Sequence, residues 1–344
     1  MRVGGRKMAW WLLAVLAVAV VWHAGLLGYA IRQGVGQLML AWKARPVEEV
    51  LRDPSEPDSL KAKLRLVQEI RRFAIDSLGL KDTKSYRTLY NQQGREVLWV
   101  VTACKPFEFT EKRWKFPVVG EVPYKGFFNP AHAAAEKRKL EAEGWEVMVR
   151  NPGGWSTLGW FPDPLLSNML FRSEGDLASL IIHEMVHATL YVKDSADLNE
   201  NLASFIGDRG AACFLKAKYG PSNPALVQYL EEDAEYRKLA GHILRGYCLL
   251  DSLYAHTRHL NPNHRAAVKQ QTIRAIISHA DTLQLKYLRS PARVYTDSLP
   301  NNAWFMNYRR YQARQDAFVE EYNKKFKGNL RAYVSCLKTR YPSP

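Results

Sequence analysis

The segment Leu180-Ile181-Ile182-His183-Glu184-Met185-Val186-His187-Ala188 sets two imidazoles four residues apart, with a carboxylate beside the first. Residues four apart on a helix project from nearly the same face, so His183 and His187 can present their nitrogens to one tetrahedral zinc ion. Glu184 can then take a proton from a water that the ion acidifies, which is the chemistry of peptide-bond hydrolysis. A five-residue match also arises in a helix that merely happens to carry two histidines. A third donor decides between the two, because catalytic zinc sites usually have three protein ligands and leave the fourth position to water or substrate.

Glu200 is the expected donor. It follows His187 by 13 residues, at the start of the next expected helix and across a turn containing Lys193, Asp194 and Asp197. A helix, a reversal and a second antiparallel helix would set it opposite the imidazoles, giving a two-His, one-Glu set and one zinc per chain. The alternative is an exposed carboxylate favoured at a helix start by the macrodipole; Asp194, Asp197 and Asp208 are weaker candidate donors. Ligating imidazoles usually pass their other N–H to an oxygen, and Asn199 or Ser204 could accept it, although a plain core or surface role suits Ser204 as well. The Gly153 to Ser167 stretch, rich in Gly, Trp, Thr and Pro, precedes the histidine helix, so Ser156, Thr157 and Gly159 are candidates to line a substrate cleft, or belong to a turn packed by Trp155 and Trp160. His242, His256, His259, His264 and His279 have no ligand spacing.

Elements to position these groups can be read from periodicity. Leu60, Leu64, Val67, Ile70, Phe73, Ala74 and Leu78 recur at threes and fours, as one buried helix face requires. Strand patterns at 96–103, 116–122 and 145–150, with a helical stretch at 130–143, suggest a small mixed sheet. Beyond Glu174 the chain reads as helical, with breaks near 193–197, 219–223, 259–263 and 298–300. The fold class expected is α+β and predominantly helical.

The N-terminus differs. Arg2, Arg6 and Lys7 precede an apolar run from Met8 to Ile31, long enough for a helix to span a bilayer. The expectation is therefore an anchor and juxtamembrane helix over 1–45, with the transmembrane helix at 8–31, and a domain over 46–344. Cleavage after Gly28-Tyr29-Ala30 is the alternative, and either version exports the remainder. Arg32, Lys43 and Arg45 balance the N-terminal charges in the positive-inside count; the expected location is the periplasmic face of the inner membrane.

The net charge of +15 includes six basic residues and no acid before Glu48, and the rest is spread without a basic run. Nucleic acid is not an expected partner, since no basic stripe with interleaved aromatics and no recognisable module occurs. Cys104, Cys213, Cys248 and Cys336 lie too far apart for a structural zinc site. An even count allows one or two disulfides or free thiols, with no pairing implied.

The chain resembles the bacterial putative aminopeptidase family of zincin-like metalloproteins. The resemblance covers most of the chain after about Gly36 and rests on Gly36-Gln37-Leu38, Ile70-Arg71-Arg72-Phe73-Ala74, Phe116-Pro117-Val118-Val119-Gly120, Tyr124-Lys125-Gly126-Phe127-Phe128, Ser156-Thr157-Leu158-Gly159-Trp160-Phe161, Asp163-Pro164-Leu165-Leu166-Ser167, the segments around His183 and Glu200, and Asn301-Asn302-Ala303, in matching order. It implies a zinc-dependent peptidase that removes N-terminal residues, with His183, His187 and Glu200 as ligands and Glu184 as base. Tyr311, on the helix after Asn301-Asn302-Ala303 where the family also has a tyrosine, is its candidate oxyanion donor, against the plainer reading of a packing tyrosine. The family pattern has cysteines flanking the Phe-Pro-Val-Val-Gly run; this chain has Lys115 and Glu121, so that disulfide is missing. Many relatives also carry a lipoprotein cysteine, whereas none occurs here before Cys104. Glu121 and Asp163 are candidates to hold a substrate amine. A membrane-anchored endopeptidase and a catalytically silent zinc-binding module are the competing functions.

Overall fold

A computed structural model of the chain describes residues 24–116, 120–154 and 162–341. Helix α1 (Ala24–Lys43) leads through β1 (Arg45–Pro46) and α2 (Val47–Arg52) to α3 (Asp58–Asp76). Then come β2 (Thr88–Tyr90), β3 (Trp99–Cys104), β4 (Trp114–Phe116), β5 (Gly120–Val122), β6 (Lys125–Phe127), α4 (Pro130–Ala142), β7 (Glu146–Arg150) and β8 (Leu165–Leu166). The rest is helical: α5 (Glu174–His187), α6 (Ala196–Tyr219), α7 (Pro224–His256), α8 (Pro262–His279), α9 (Pro291–Val294), α10 (Asn302–Gln312), α11 (Gln315–Phe326) and α12 (Leu330–Arg340).

The expected transmembrane helix requires correction. Residues 8–23 lie outside the described residues. Among the described residues no helix is long and apolar enough to cross a membrane. This corrects the transmembrane helix expected at 8–31 over its described part, 24–31, and withdraws the single-pass membrane placement built on it. The physical reason is visible in α1, which runs on from the apolar stretch through Arg32, Gln33, Gln37 and Lys43 and docks on the protein. Tyr29 Oη donates to the Gly126 carbonyl at 2.9 Å, and Gln37 donates to the Asp163 carboxylate at 3.2 Å. At Gly36 the Phe128 ring lies so close that a Cβ would stand 2.2 Å from it.

The small mixed sheet is also redistributed. Among the described residues there are three sheets: β1-β2-β8, in which only β2 and β8 run parallel, antiparallel β6-β3-β7, and the pair β4-β5. The strand expected over 116–122 falls on two strands that oppose each other, with Phe116 across from Gly120. Lys115 and Glu121, which stand where the family has cysteines, are direct register partners and form an ion pair at 2.7 Å. All four cysteines of the chain are free thiols.

The α5–α6 pair forms the centre of the molecule. Ser173 caps α5 by accepting from the Asp176 amide at 3.1 Å, and Glu174 and Asp176 complement its positive end. Leu177, Ala178, Ile181, Ile182, Met185 and Val186 are all at most 2% exposed. Each larger side chain contributes about 1.5–3 kcal/mol by leaving water, so α5 is held on nearly all sides. Its closest neighbour is α6, where Gly207 removes a side chain from the contact: a Cβ there would meet the Ser179 carbonyl at 2.8 Å and His183 Cβ at 3.2 Å. A backbone wall cannot swing aside. Gly207→Ala is therefore expected to push α6 off α5 and, if His183 and Glu200 hold a metal as the sequence suggests, to weaken its retention by about tenfold, read by competition with a chromogenic chelator. Its overpacking cost of about 1–3 kcal/mol is offset by about 1 kcal/mol of helix propensity. Unchanged metal affinity would show that the helix spacing is slack.

Candidate metal centre

The reversal between α5 and α6 is fixed by side chains that replace the missing backbone partners. Thr189 Oγ1 donates to the Met185 carbonyl at 2.7 Å and accepts from the Lys81 amide at 3.0 Å. Asn199 grips the loop from the first turn of α6, accepting from the Val192 amide at 2.9 Å and donating to its carbonyl at 2.8 Å. Asp194 sits in the left-handed region at φ 57°, and its carboxylate accepts from the Glu121 amide at 3.0 Å. With the loop so held, α6 returns antiparallel to α5 and sets Glu200 opposite the two histidines.

His183 Nε2 and His187 Nε2 are 3.1 Å apart, and Glu200 Oε2 lies 3.3 Å from the first and 3.5 Å from the second. These form the one group of three or more such donors gathered closely enough to hold a metal among the described residues. The fit can be tested on the triangle itself. Tetrahedral zinc with donors at about 2.0–2.1 Å separates them by about 3.3 Å, which the three distances bracket. Three lone-pair atoms converging away from water also need positive charge among them. The electrostatics agree: burial alone would raise the Glu200 carboxyl, but the charge of His187 and hydrogen bonds from both imidazoles hold it well below the usual range. Burial alone would lower His187, and Glu200 outweighs it so that the imidazole is raised.

Glu184 stands beside this triangle at 9% exposure. Burial pushes its carboxyl above the ordinary value, the imidazoles pull it back less, and the Glu200 charge adds to the rise. Such a shift makes a carboxylate more basic, as proton abstraction near neutrality requires. The main chain approaches Glu184 closely at Gly154, where a Cβ would lie 2.6 Å from Oε1 and 3.0 Å from Leu180 Cδ1. The first of these atoms is the end of a flexible side chain, so Gly154→Ala is expected to turn the Glu184 carboxylate and lower kcat by about tenfold or more. The melting temperature should hold; unchanged kcat would mean that Glu184 has room to spare.

Tyr311, on α10, stacks on His183 with ring centroids 6.4 Å apart and planes 29° apart. Its hydroxyl accepts from Arg150 Nη2 at 3.0 Å, and burial raises its pKa, with Glu200 adding to the rise. The helix carrying it is tied to α6 through fully buried Asn201, which donates to the Arg310 carbonyl and accepts from the Arg314 amide at 2.9 Å. Arg310, 2% exposed, pairs with Glu111 and Asp197. A small cleft lined by Tyr124, His187, Tyr191, Asp194 and Glu200 opens beside the triangle. Arg150, Tyr191 and Asn201 were not singled out by their sequence context, Tyr124 entered only as the head of a segment that carries the resemblance, and Gly154 only within the Gly153 to Ser167 stretch.

The remaining expected residues take other places. Asn199 serves the loop; Ser204 is buried one turn beyond Glu200. His187 Nδ1 is buried without a hydrogen-bond partner among the described residues, so neither residue holds it. Ser156, Thr157 and Gly159 lie outside the described residues. Asp194, Asp197 and Asp208 stay off the triangle, Asp208 accepting from Ser179 Oγ at 2.8 Å. Glu121 lines the cleft but is paired with Lys115 and Arg113, and Asp163, 1% exposed, faces Gln37 rather than open space.

Comparison with known proteins gives one finding: a family model described as Putative aminopeptidase matches residues 28–340. No curated protein and no solved structure matches the chain.

Proposed function

Because the chain belongs to the Putative aminopeptidase family, whose description points to a peptidase acting on peptides, we propose that it is a zinc-dependent, zincin-like peptidase removing N-terminal residues. The observation that carries the zinc reading is the donor triangle of His183 Nε2, His187 Nε2 and Glu200 Oε2, with sides of 3.1, 3.3 and 3.5 Å. These residues would hold the ion. The chemistry supplied by bound zinc is that of a Lewis acid, acidifying a water and polarising the scissile carbonyl.

The chain's own groups do the rest. Glu184 takes the proton of the attacking water, for which its burial has raised its basicity, and delivers that proton to the leaving amine. Tyr311 donates its hydroxyl to the oxygen on which negative charge develops. Tyr124 and Tyr191, both half-buried, wall the cleft beside His187 and narrow the path by which water reaches the reacting atoms. No covalent link to the protein is needed.

Paired peptides with free and acetyl-blocked N-termini test the substrate end of this reading. The zinc-loaded protein is expected to release the first residue from the free peptide and to leave the blocked one intact. Equal cleavage of both would replace it with an endopeptidase, and cleavage of neither would favour a silent zinc-binding module.

A further inference from the structure

We propose that Arg150 is a positioning residue that fixes the Tyr311 hydroxyl as a donor to the oxyanion of the reaction; the inference rests on the peptidase reading above. Arg150 is the last residue of β7, opposite Val100 in register. The next residue, Asn151, locks the strand end by donating to the Leu98 carbonyl at 2.7 Å. A rigid sheet edge therefore delivers the guanidinium to a helix 161 positions further along the chain, where Nη2 reaches Tyr311 Oη at 3.0 Å.

The polarity of that bond carries the argument. A guanidinium can only donate, so the Tyr311 oxygen is the acceptor and its single proton must point elsewhere. Among the described residues no group accepts that proton. The ring bearing it is stacked on His183, one of the three convergent donors. A cation on the oxygen also draws electron density from the O–H and strengthens it as a donor.

Arg150 itself is incompletely matched. It is partly buried, and among the described residues its Nε is buried without a partner and no carboxylate lies within ion-pair distance of it. The guanidinium also lies 5.8 Å from the centroid of the Tyr311 ring, a contact that offers no formal negative charge, and partly withdrawing a cation from water without an anion has a cost. An anion that exists only while the carbonyl carbon is tetrahedral would supply the missing charge, through Tyr311, and would be bound more tightly than the neutral substrate.

The test uses the zinc-loaded full chain with Arg150→Met, Arg150→Lys, Tyr311→Phe and the Arg150→Met/Tyr311→Phe double variant. One readout is kcat and KM on free-amine peptides ending in a carboxylate or an amide. The other, independent of turnover, is calorimetric affinity for a phosphinate peptide, a tetrahedral anion, against that for the product peptide. Arg150→Met and Tyr311→Phe are each expected to lower kcat by about 10²-fold, leave KM within about threefold, and weaken phosphinate but not product binding. The double variant should fall no more than about threefold below Tyr311→Phe, because one residue acts through the other. Arg150→Lys should recover part of the loss. Additive losses, an effect on KM confined to peptides with a free carboxylate, or loss of zinc from Arg150→Met would each overturn the proposal. A wild type that binds zinc but hydrolyses no peptide would sink the peptidase reading, and this inference with it. Hydrolysis unaffected by Arg150→Met would sink only this inference.

Discussion

Glu184→Gln is expected to lower kcat by about 10²–10⁴-fold, the usual contribution of a positioned general base, while the protein keeps its zinc and its melting temperature. The substitution conserves volume in a site where Glu184 is 9% exposed. It also leaves untouched the donor triangle, to which Glu184 contributes no atom. What it removes is the ability to take a proton, and a buried carboxyl raised above its ordinary value is suited to that role. Peptide turnover and metal content measured on the same preparation check both halves. A variant as active as wild type would remove Glu184 from the mechanism, and a variant without metal would make it structural.

The second large effect concerns the donors. Glu200→Ala, or His183→Ala, is expected to abolish stoichiometric zinc binding, and peptide hydrolysis with it. Each leaves two of three donors, and the remaining pair cannot enclose a divalent ion with one place to spare. Stability gives an independent readout: a ligand bound only by the folded state stabilises it by about 2.7 kcal/mol at a free concentration of 100 times Kd. Zinc should therefore raise the melting temperature of wild type and leave Glu200→Ala unmoved. If Glu200→Ala retained one zinc and turnover, the third donor would have to come from elsewhere, with Asp194 on the same cleft the first to examine.

Sequence reasoning reached the site as far as its contacts are local. His183 and His187 are neighbours because a helix makes them so, and Glu200 comes to them across one short reversal, so the convergence was legible from spacing. Arg150 and Tyr311 are 161 positions apart and meet only after the sheet and α10 have docked; no periodicity announces such a pair. Asn201 looked like any polar helix residue, yet its amide ties α6 to the helix of Tyr311. The helix starts at Pro130, Pro224 and Pro262 were more legible than the reading made of them, since each follows an asparagine that caps it.

The N-terminal reading failed where one pattern serves two purposes. A long apolar run suggests lipid, but α1 carries Arg32, Gln33, Gln37 and Lys43 and docks one face on protein, with Leu40 4% exposed and Tyr29 bonded to Gly126, while Ile31, Val35, Leu38, Met39 and Trp42 stay exposed. Hydropathy measures the wish to leave water and does not say where the polar residues that end a span will fall. The strand expected over 116–122 failed differently: alternation fits a hairpin as well as one strand, and Gly120, at φ 76°, is the residue that permits the former.

Anomalous diffraction at the zinc edge, from crystals of the purified chain loaded with one equivalent of zinc, tests the central claim most directly. The account predicts a single strong peak bounded by His183 Nε2, His187 Nε2 and a Glu200 oxygen, with Glu184 beside it but not bonded to it. A peak held by other residues, or density showing the Glu200 carboxylate turned away from an ion on the two imidazoles, would contradict it.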